Sequence, residues 1–170
     1  QPSLSACWAW LYGGEGERRW YANSVLKSER KFTNNDVAGS YHQGMVIIQG
    51  GMGVGISNWR LANAVSTLGQ LGVVSGTAID QVLVRRLQTG DPGGHMRRAF
   101  DAFPFRDMAR RVWDRFFISG GKAADDSFVT LPTHGKDCPR PLAEVCILAN
   151  FVEVFLAREG HDNPVGINYL

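Results

Sequence analysis

Four glycines in six positions, Gly50, Gly51, Gly53 and Gly55, follow the apolar run Val46-Ile47-Ile48-Gln49 and are closed by Ser57. Glycine lets a backbone turn sharply or come close to a ligand, and four of them exceed what a single turn requires. Backbone N–H groups presented where a strand opens toward a helix can hold an anionic or planar cofactor. A second polar exit, Ser75-Gly76-Thr77, follows another β-branched run, and Asn168 interrupts a third at residues 165–170. An amide both donates and accepts, which suits the N–C–O edge of a flavin-like ring. Gln49, Ser75, Thr77 and Asn168 therefore stand at the ends of three apolar runs, and together they favour a ligand site over separately satisfied core residues.

Other chemistries fail on detail. A dinucleotide fingerprint needs glycine at its first, third and sixth positions. Counting from Gly51 puts Ile56 in the last slot, and counting from Gly53 puts Asn58 there. The second run also ends in Ser75-Gly76-Thr77 where an acidic residue for ribose hydroxyls is needed. No Gly-Lys-Ser/Thr completes a phosphate-binding loop. Cys7, Cys138 and Cys146 form an odd set without Cys-x-x-Cys spacing, so neither a disulfide framework nor a metal site is expected, and a reducing, cytoplasmic setting is. His42, His95, His134 and His161 fall in expected leader, turn or loop segments. Only His95, preceded by Gly93-Gly94 at a helix start, offers N–H groups to an anion, with an exposed or capping histidine as the plainer alternative.

Composition sets the scale. The 170 residues are 44% hydrophobic and 20% charged, with a formal net charge of +2, which suits a globular domain able to bury a core. That charge is too small to argue for nucleic acid or a membrane surface. The pairs Arg85-Arg86, Arg97-Arg98 and Arg110-Arg111, with Arg115, point to different azimuths on helices without an aromatic ladder, and read as a solvated outer face. No apolar run approaches the roughly 18 residues of a membrane-spanning helix.

Residues 46–49 read as a first strand. Ser57 is the expected N-cap of a helix to about residue 68, with Leu61, Ala64, Val65 and Leu68 on its inner face. Residues 71–75 read as a second strand and 79–87 as a helix with Val82, Leu83 and Leu87 inward and Arg85 and Arg86 outward. After the turn at 89–94, short helices are expected at 95–102 and 105–117, the second facing inward through Met108, Val112, Trp113 and Phe116. Trp113, Phe116 and Phe117 read as core under these helices, with a contact between copies of the chain as the alternative. Residues 120–141 form a polar connection long enough to be a mobile segment or a functional lid. A helix at 141–158, with Val145, Leu148, Val152 and Phe155 as its apolar face, leads to a third strand at 165–170. Strands alternating with helices signify an α/β fold with parallel strands. Residues 1–44 lack sustained periodicity and read as a leader or N-terminal extension, Met45 being a plausible start. The first residue, Gln1, and the last, Leu170, just inside an expected strand, lead us to expect a fragment of a longer protein.

The runs at 46–57, Leu71-Gly72-Val73-Val74-Ser75-Gly76-Thr77-Ala78 and Pro164-Val165-Gly166-Ile167-Asn168-Tyr169-Leu170 resemble the nitronate monooxygenase family, formerly the 2-nitropropane dioxygenases. The likeness spans about residues 46–170, closest to a branch with the insertion seen here as Gly90-Asp91-Pro92-Gly93-Gly94-His95-Met96-Arg97-Arg98. The Gln-Gly-Gly-Met core is shared with FMN-dependent enoyl reductases. The resemblance implies the N-terminal portion of a (β/α)8 barrel, about three strands, with a helical insertion between the second and third at about 89–140. It implies FMN at the strand ends, against Gly50, Gly51, Met52, Ser75, Gly76, Thr77 and Asn168. The implied reaction is oxidation of an alkyl nitronate or nitroalkane with O2, an FMN- and NAD(P)H-dependent enoyl reductase or a polyketide-associated enzyme being the alternative. Such barrels need about 250 residues, so the family's phosphate loops and catalytic histidine have no counterpart in this chain, and no catalytic role is carried onto any residue. As a third alternative, the chain by itself is an inactive fragment.

Overall fold

The computed structural model describes residues 47–135 and 138–169. The chain divides into two units, residues 1–43 and 44–170. The first, expected as a leader, lies outside the described residues, as do His42, Cys7, Met45, Val46 and Leu170. All that follows concerns the second.

Its elements are α1 (Trp59–Thr67), β1 (Gly72–Ser75), α2 (Ile79–Gln88), α3 (His95–Ala102), α4 (Arg106–Phe116), α5 (Arg140–Ala157) and β2 (Val165–Asn168). β1 and β2 are parallel, with Gly72 opposite Val165 and Ser75 opposite Asn168. On the other edge of β1, Ile48 bridges Leu71 in parallel. Gln49 N–H donates to the Leu71 carbonyl at 3.0 Å and Leu71 N–H to that of Ile47 at 3.1 Å. Gln49 Oε1 extends this pairing by accepting from Val73 N–H at 3.0 Å. Three parallel segments thus lie side by side in chain order. Parallel neighbours need crossover connections, which α1 supplies once and α2–α5 supply the second time.

α5 is the hub. It packs against every other helix and both strands, and it buries Leu142, Val145, Leu148, Ala149, Val152, Leu156 and Ala157. A helix touched on all sides reads apolar all round rather than along one stripe, so its buried surface is wider than the expected face. Proline in its first turn costs no intrahelical bond.

Several expectations are corrected. Asn58, not Ser57, caps α1: its Oδ1 accepts from the N–H groups of Arg60 and Leu61. The buried side of α1 is Trp59, Ala62 and Ser66, whereas Leu61 is 41% and Leu68 77% exposed. The helix turns its small residues inward because β1 comes so close. A Cβ on Gly72 would lie 2.6 Å from Ser66 Oγ and clash with the Ala62 carbonyl. Ser66 Oγ accepts from Gly72 N–H and donates to the Pro164 carbonyl. Arg86 does not point outward but pairs with Glu153 of α5.

The connection at 117–139 is not a free lid in its described part. The amide of the buried Gln88 donates to the Val129 carbonyl at 2.9 Å and accepts from Val129 N–H at 2.8 Å. Gln81, two turns earlier on α2, does the same with Leu131, at 2.8 and 3.2 Å. Two side-chain amides therefore replace a neighbouring strand, and the segment is strapped along α2 in the opposite direction. His134 Nε2 lies 2.8 Å from Oδ2 of the buried Asp80 at the far end of the strap.

Candidate functional site

The glycine loop folds on its own polar groups. Ser57 Oγ donates to the Gly50 carbonyl at 3.0 Å, accepts from Met52 N–H at 3.2 Å, and receives Gln49 Nε2 at 2.9 Å. Ser75 N–H donates to the Ser57 carbonyl at 2.8 Å, joining the loop to the end of β1. This is why Ser57 is lost as a helix cap: its hydroxyl is the hub of the loop. Gly53 and Gly55, at φ of 79° and 68°, turn the backbone where a Cβ would be strained.

The expected contact residues converge on one end of the three parallel segments. Asn168 closes β2, Ser75 closes β1, and Gly50 follows the bridged segment. Asn168 Nδ2 donates to the Gly51 carbonyl at 3.2 Å, fixing the amide plane. Gly76 N–H donates to the Asn168 carbonyl at 2.8 Å, and Thr77 N–H to Ser75 Oγ at 3.3 Å.

The glycines divide into two kinds. A Cβ on Gly51 would lie 2.6 Å from both Val73 Cγ1 and the Val74 carbonyl oxygen, and one on Gly76 would lie 2.6 Å from the Tyr169 ring. These two glycines are demanded by chain meeting chain. Around Gly50 nothing lies within 4 Å of such an atom. Gly50 and Gly51 N–H groups have no hydrogen-bond partner among the described residues, and neither does Asn168 Oδ1. Two successive free donors and one oriented acceptor fit the alternating polar edge of a flavin. Met52, 59% exposed, adds an apolar, polarizable surface suited to a planar ring. The residues present therefore fit the ring of FMN. No cluster suited to a metal ion occurs among the described residues, and no helix among them is long and apolar enough to cross a membrane.

Beside the rim, Asp80 follows Thr77 in the first turn of α2 and is buried with His134 on it. Tyr169 packs its ring on Gly76, and burial, then the neighbouring Cys146 and Asp80, raises its phenol above the ordinary tyrosine range. The Asp80–His134 pair was hardly legible from residue types and spacing. An acid just after a polar strand exit was visible, but its histidine lies more than fifty positions on, in a segment without periodicity.

His95 does not offer its helix start to an outside anion. The Asp91 carboxylate already accepts from the N–H groups of Met96 and Arg97, at 3.0 and 2.9 Å. The His95 ring instead packs on Trp59, centroids 4.8 Å apart, with Nδ1 2.9 Å from Arg98. The arginines are also less idle than expected. Arg98 binds Glu159 through two nitrogens, Arg97 lies 4.0 Å over the Trp113 ring, and Arg111 grips the buried Glu144.

Comparison with protein-family models, curated proteins and solved structures gives no match to this chain.

Proposed function

We propose that the chain supplies the first lip of an FMN site in an oxidoreductase of nitronate monooxygenase type, acting on an alkyl nitronate with O2. The observation that carries the reading is the meeting of Gly50, Gly51 and Asn168 at one end of parallel segments, each with a hydrogen-bonding group that has no partner among the described residues. Ligands of α/β enzymes sit at the C-terminal ends of parallel strands, which is where these residues stand. Chain-order adjacency of the three segments suits a barrel stave sequence, since each βα unit adds the next strand beside the last.

Bound FMN would supply the electron transfer between nitronate and O2. The N–H groups of Gly50 and Gly51 would donate to the ring's polar edge, and Asn168 Oδ1 would accept from it. Met52, with Ser75, Gly76 and Thr77, would border the ring. The ring's orientation is thereby set by groups that need not reorganise, because Ser57 and the Asn168–Gly51 bond already hold the loop. No residue of this chain is assigned the task of moving the substrate's proton or of holding the phosphate.

Support for a larger barrel comes from the surface. Ile47, Ile48, Met52, Val54 and Ile56 are each more than half exposed, on the segment whose second strand edge has no partner among the described residues. An exposed apolar edge is a liability that further strands would cover. The test is anaerobic titration of the protein expressed from its full reading frame and reconstituted with FMN. Reduction by an alkyl nitronate is expected. Reduction by NADPH and not by nitronate would assign the site to enoyl reductase chemistry.

A further inference from the structure

The described methionines differ sharply in exposure. Met96 is 2% exposed and Met108 is half-buried against the core, whereas Met52 is 59% exposed. Its backbone is pinned: Met52 N–H donates to the Gly50 carbonyl at 3.1 Å and to Oγ of the buried Ser57 at 3.2 Å. Gly51 and Gly53 flank it, so neither chain neighbour has a side chain to shield its thioether. The loop therefore holds a methionine side chain out to solvent at the rim.

That placement has a chemical consequence. Gly50, Gly51, Ser75, Gly76, Thr77 and Asn168 carry no group that a peroxide oxidises, and Met52 does. Methionine oxidation follows exposure, which separates Met52 from Met96 and Met108. Hydrogen peroxide is what O2 becomes on taking up two electrons, so a site that handles O2 exposes its own rim to that oxidant.

Building on the flavin reading of the rim, we propose that Met52 is an oxidation-sensitive element of the site: hydrogen peroxide converts its thioether to the sulfoxide, and the sulfoxide loosens the flavin ring. A sulfur lone pair attacks one peroxide oxygen, the O–O bond breaks and an S–O bond forms. The departing hydroxyl takes the proton of the transferred oxygen and leaves as water. Sulfur gives up the two electrons that the peroxide gains. The thioether is apolar and polarizable and suits the face of a planar ring. The sulfoxide is polar and chiral, and covering it with a ring strips water from it without return.

The test uses protein expressed from its full reading frame, treated with graded hydrogen peroxide, mapped by peptide mass and titrated with FMN. The Met52 peptide should gain one oxygen before those of Met96 and Met108. FMN binding should weaken about tenfold in step with it, the scale of an imperfectly compensated polar group. Methionine sulfoxide reductases should reverse both changes. Met52→Leu, whatever its starting affinity, should keep that affinity through the same treatment, which separates Met52 from the cysteines as the cause. The inference is overturned if Met96 or Met108 oxidises as fast as Met52, if the Met52 sulfoxide binds FMN as tightly as the thioether, or if Met52→Leu loses affinity to the same extent. Protein that binds no FMN before peroxide is added refutes the flavin reading, and this inference with it.

Discussion

Asn168 Nδ2 donates to the carbonyl of Gly51 across 3.2 Å, joining the end of β2 to a loop 117 residues earlier in the chain. The bond does two things at once. It closes the rim across β1, and it leaves the amide's Oδ1 without a hydrogen-bond partner among the described residues. Replacing Asn168 by Ala should cost about 1 kcal/mol, the usual net worth of such a bond. Local opening should rise with it. Hydrogen exchange is the measurement: the Met52 amide, bonded within the loop to the Gly50 carbonyl and Ser57 Oγ, should exchange faster in Asn168→Ala, while the amides of α5 should keep their relative protection.

The glycines make a sharper contrast. Gly51→Ala places a methyl group against Val73 and the Val74 carbonyl, and Gly72→Ala drives one into the Ala62 carbonyl. Each should destabilise by about 1–3 kcal/mol or more, as overpacking does. Gly50→Ala meets open space and should leave the urea midpoint nearly unchanged. If all three behaved alike, the close approach of loop, helix and strand described above would be wrong.

Much of this was legible in the sequence, and the residues say why. The alternation of β-branched runs with helical spacing located α1, α2, α5 and both strands, because burial imposes those periods locally. α3 and α4 could be read for the same reason. What escaped was any property set by a distant partner. Leu61 and Leu68 looked like an inward face, but which side of α1 is buried depends on the closeness of Gly72 and Ser66. Ser57 looked like a cap because its rivals, Gly50 and Met52, reach it only after the loop has folded. Glu153, which accepts from Trp59 N–H at 2.8 Å and pairs with Arg86, lies in an apolar helix ninety-four positions from its first partner. Gln49, Ser75 and Asn168 were visible as polar strand ends, since a polar residue at the end of an apolar run needs no partner to be noticed. The Asp80–His134 contact carried no such signal.

The strap along α2 depends on two glutamines. Gln88 is 2% exposed and its amide serves both backbone groups of Val129. Gln88→Ala removes both bonds to Val129 and leaves a cavity at a buried position, costing about 1–3 kcal/mol. Exchange at the Val129 amide should accelerate more than at the Leu131 amide, which Gln81 continues to hold. Equal acceleration of both would mean the segment detaches as a unit.

Glu144 makes stability depend on acid. Its hydrogen bond with Arg111, aided by that with Arg140, outweighs burial and holds its carboxyl below the ordinary glutamate range. A carboxyl whose folded value is depressed stabilises the fold above its unfolded value, about 4.3, and that contribution fades as pH falls through the lower folded value. Glu144→Gln should therefore cost about 1–2 kcal/mol near neutrality, modest because both arginines reach solvent. The difference between the two proteins should shrink on acidification. Denaturant midpoints measured across that range test it, and a difference that does not change with pH would remove the charge from the explanation.

The central claim is that Gly50, Gly51 and Asn168 form the ring-binding lip of a flavin site. It is tested most directly by isolating the protein from its full reading frame, with and without Asn168→Ala, and titrating it with FMN. The parent should quench and shift the flavin spectrum on binding, and Asn168→Ala should weaken that binding about tenfold, as expected when a hydrogen bond to the ring is lost and its loop freed. A parent protein that leaves the flavin spectrum unchanged, or an Asn168→Ala protein that binds FMN as tightly as the parent, would contradict it.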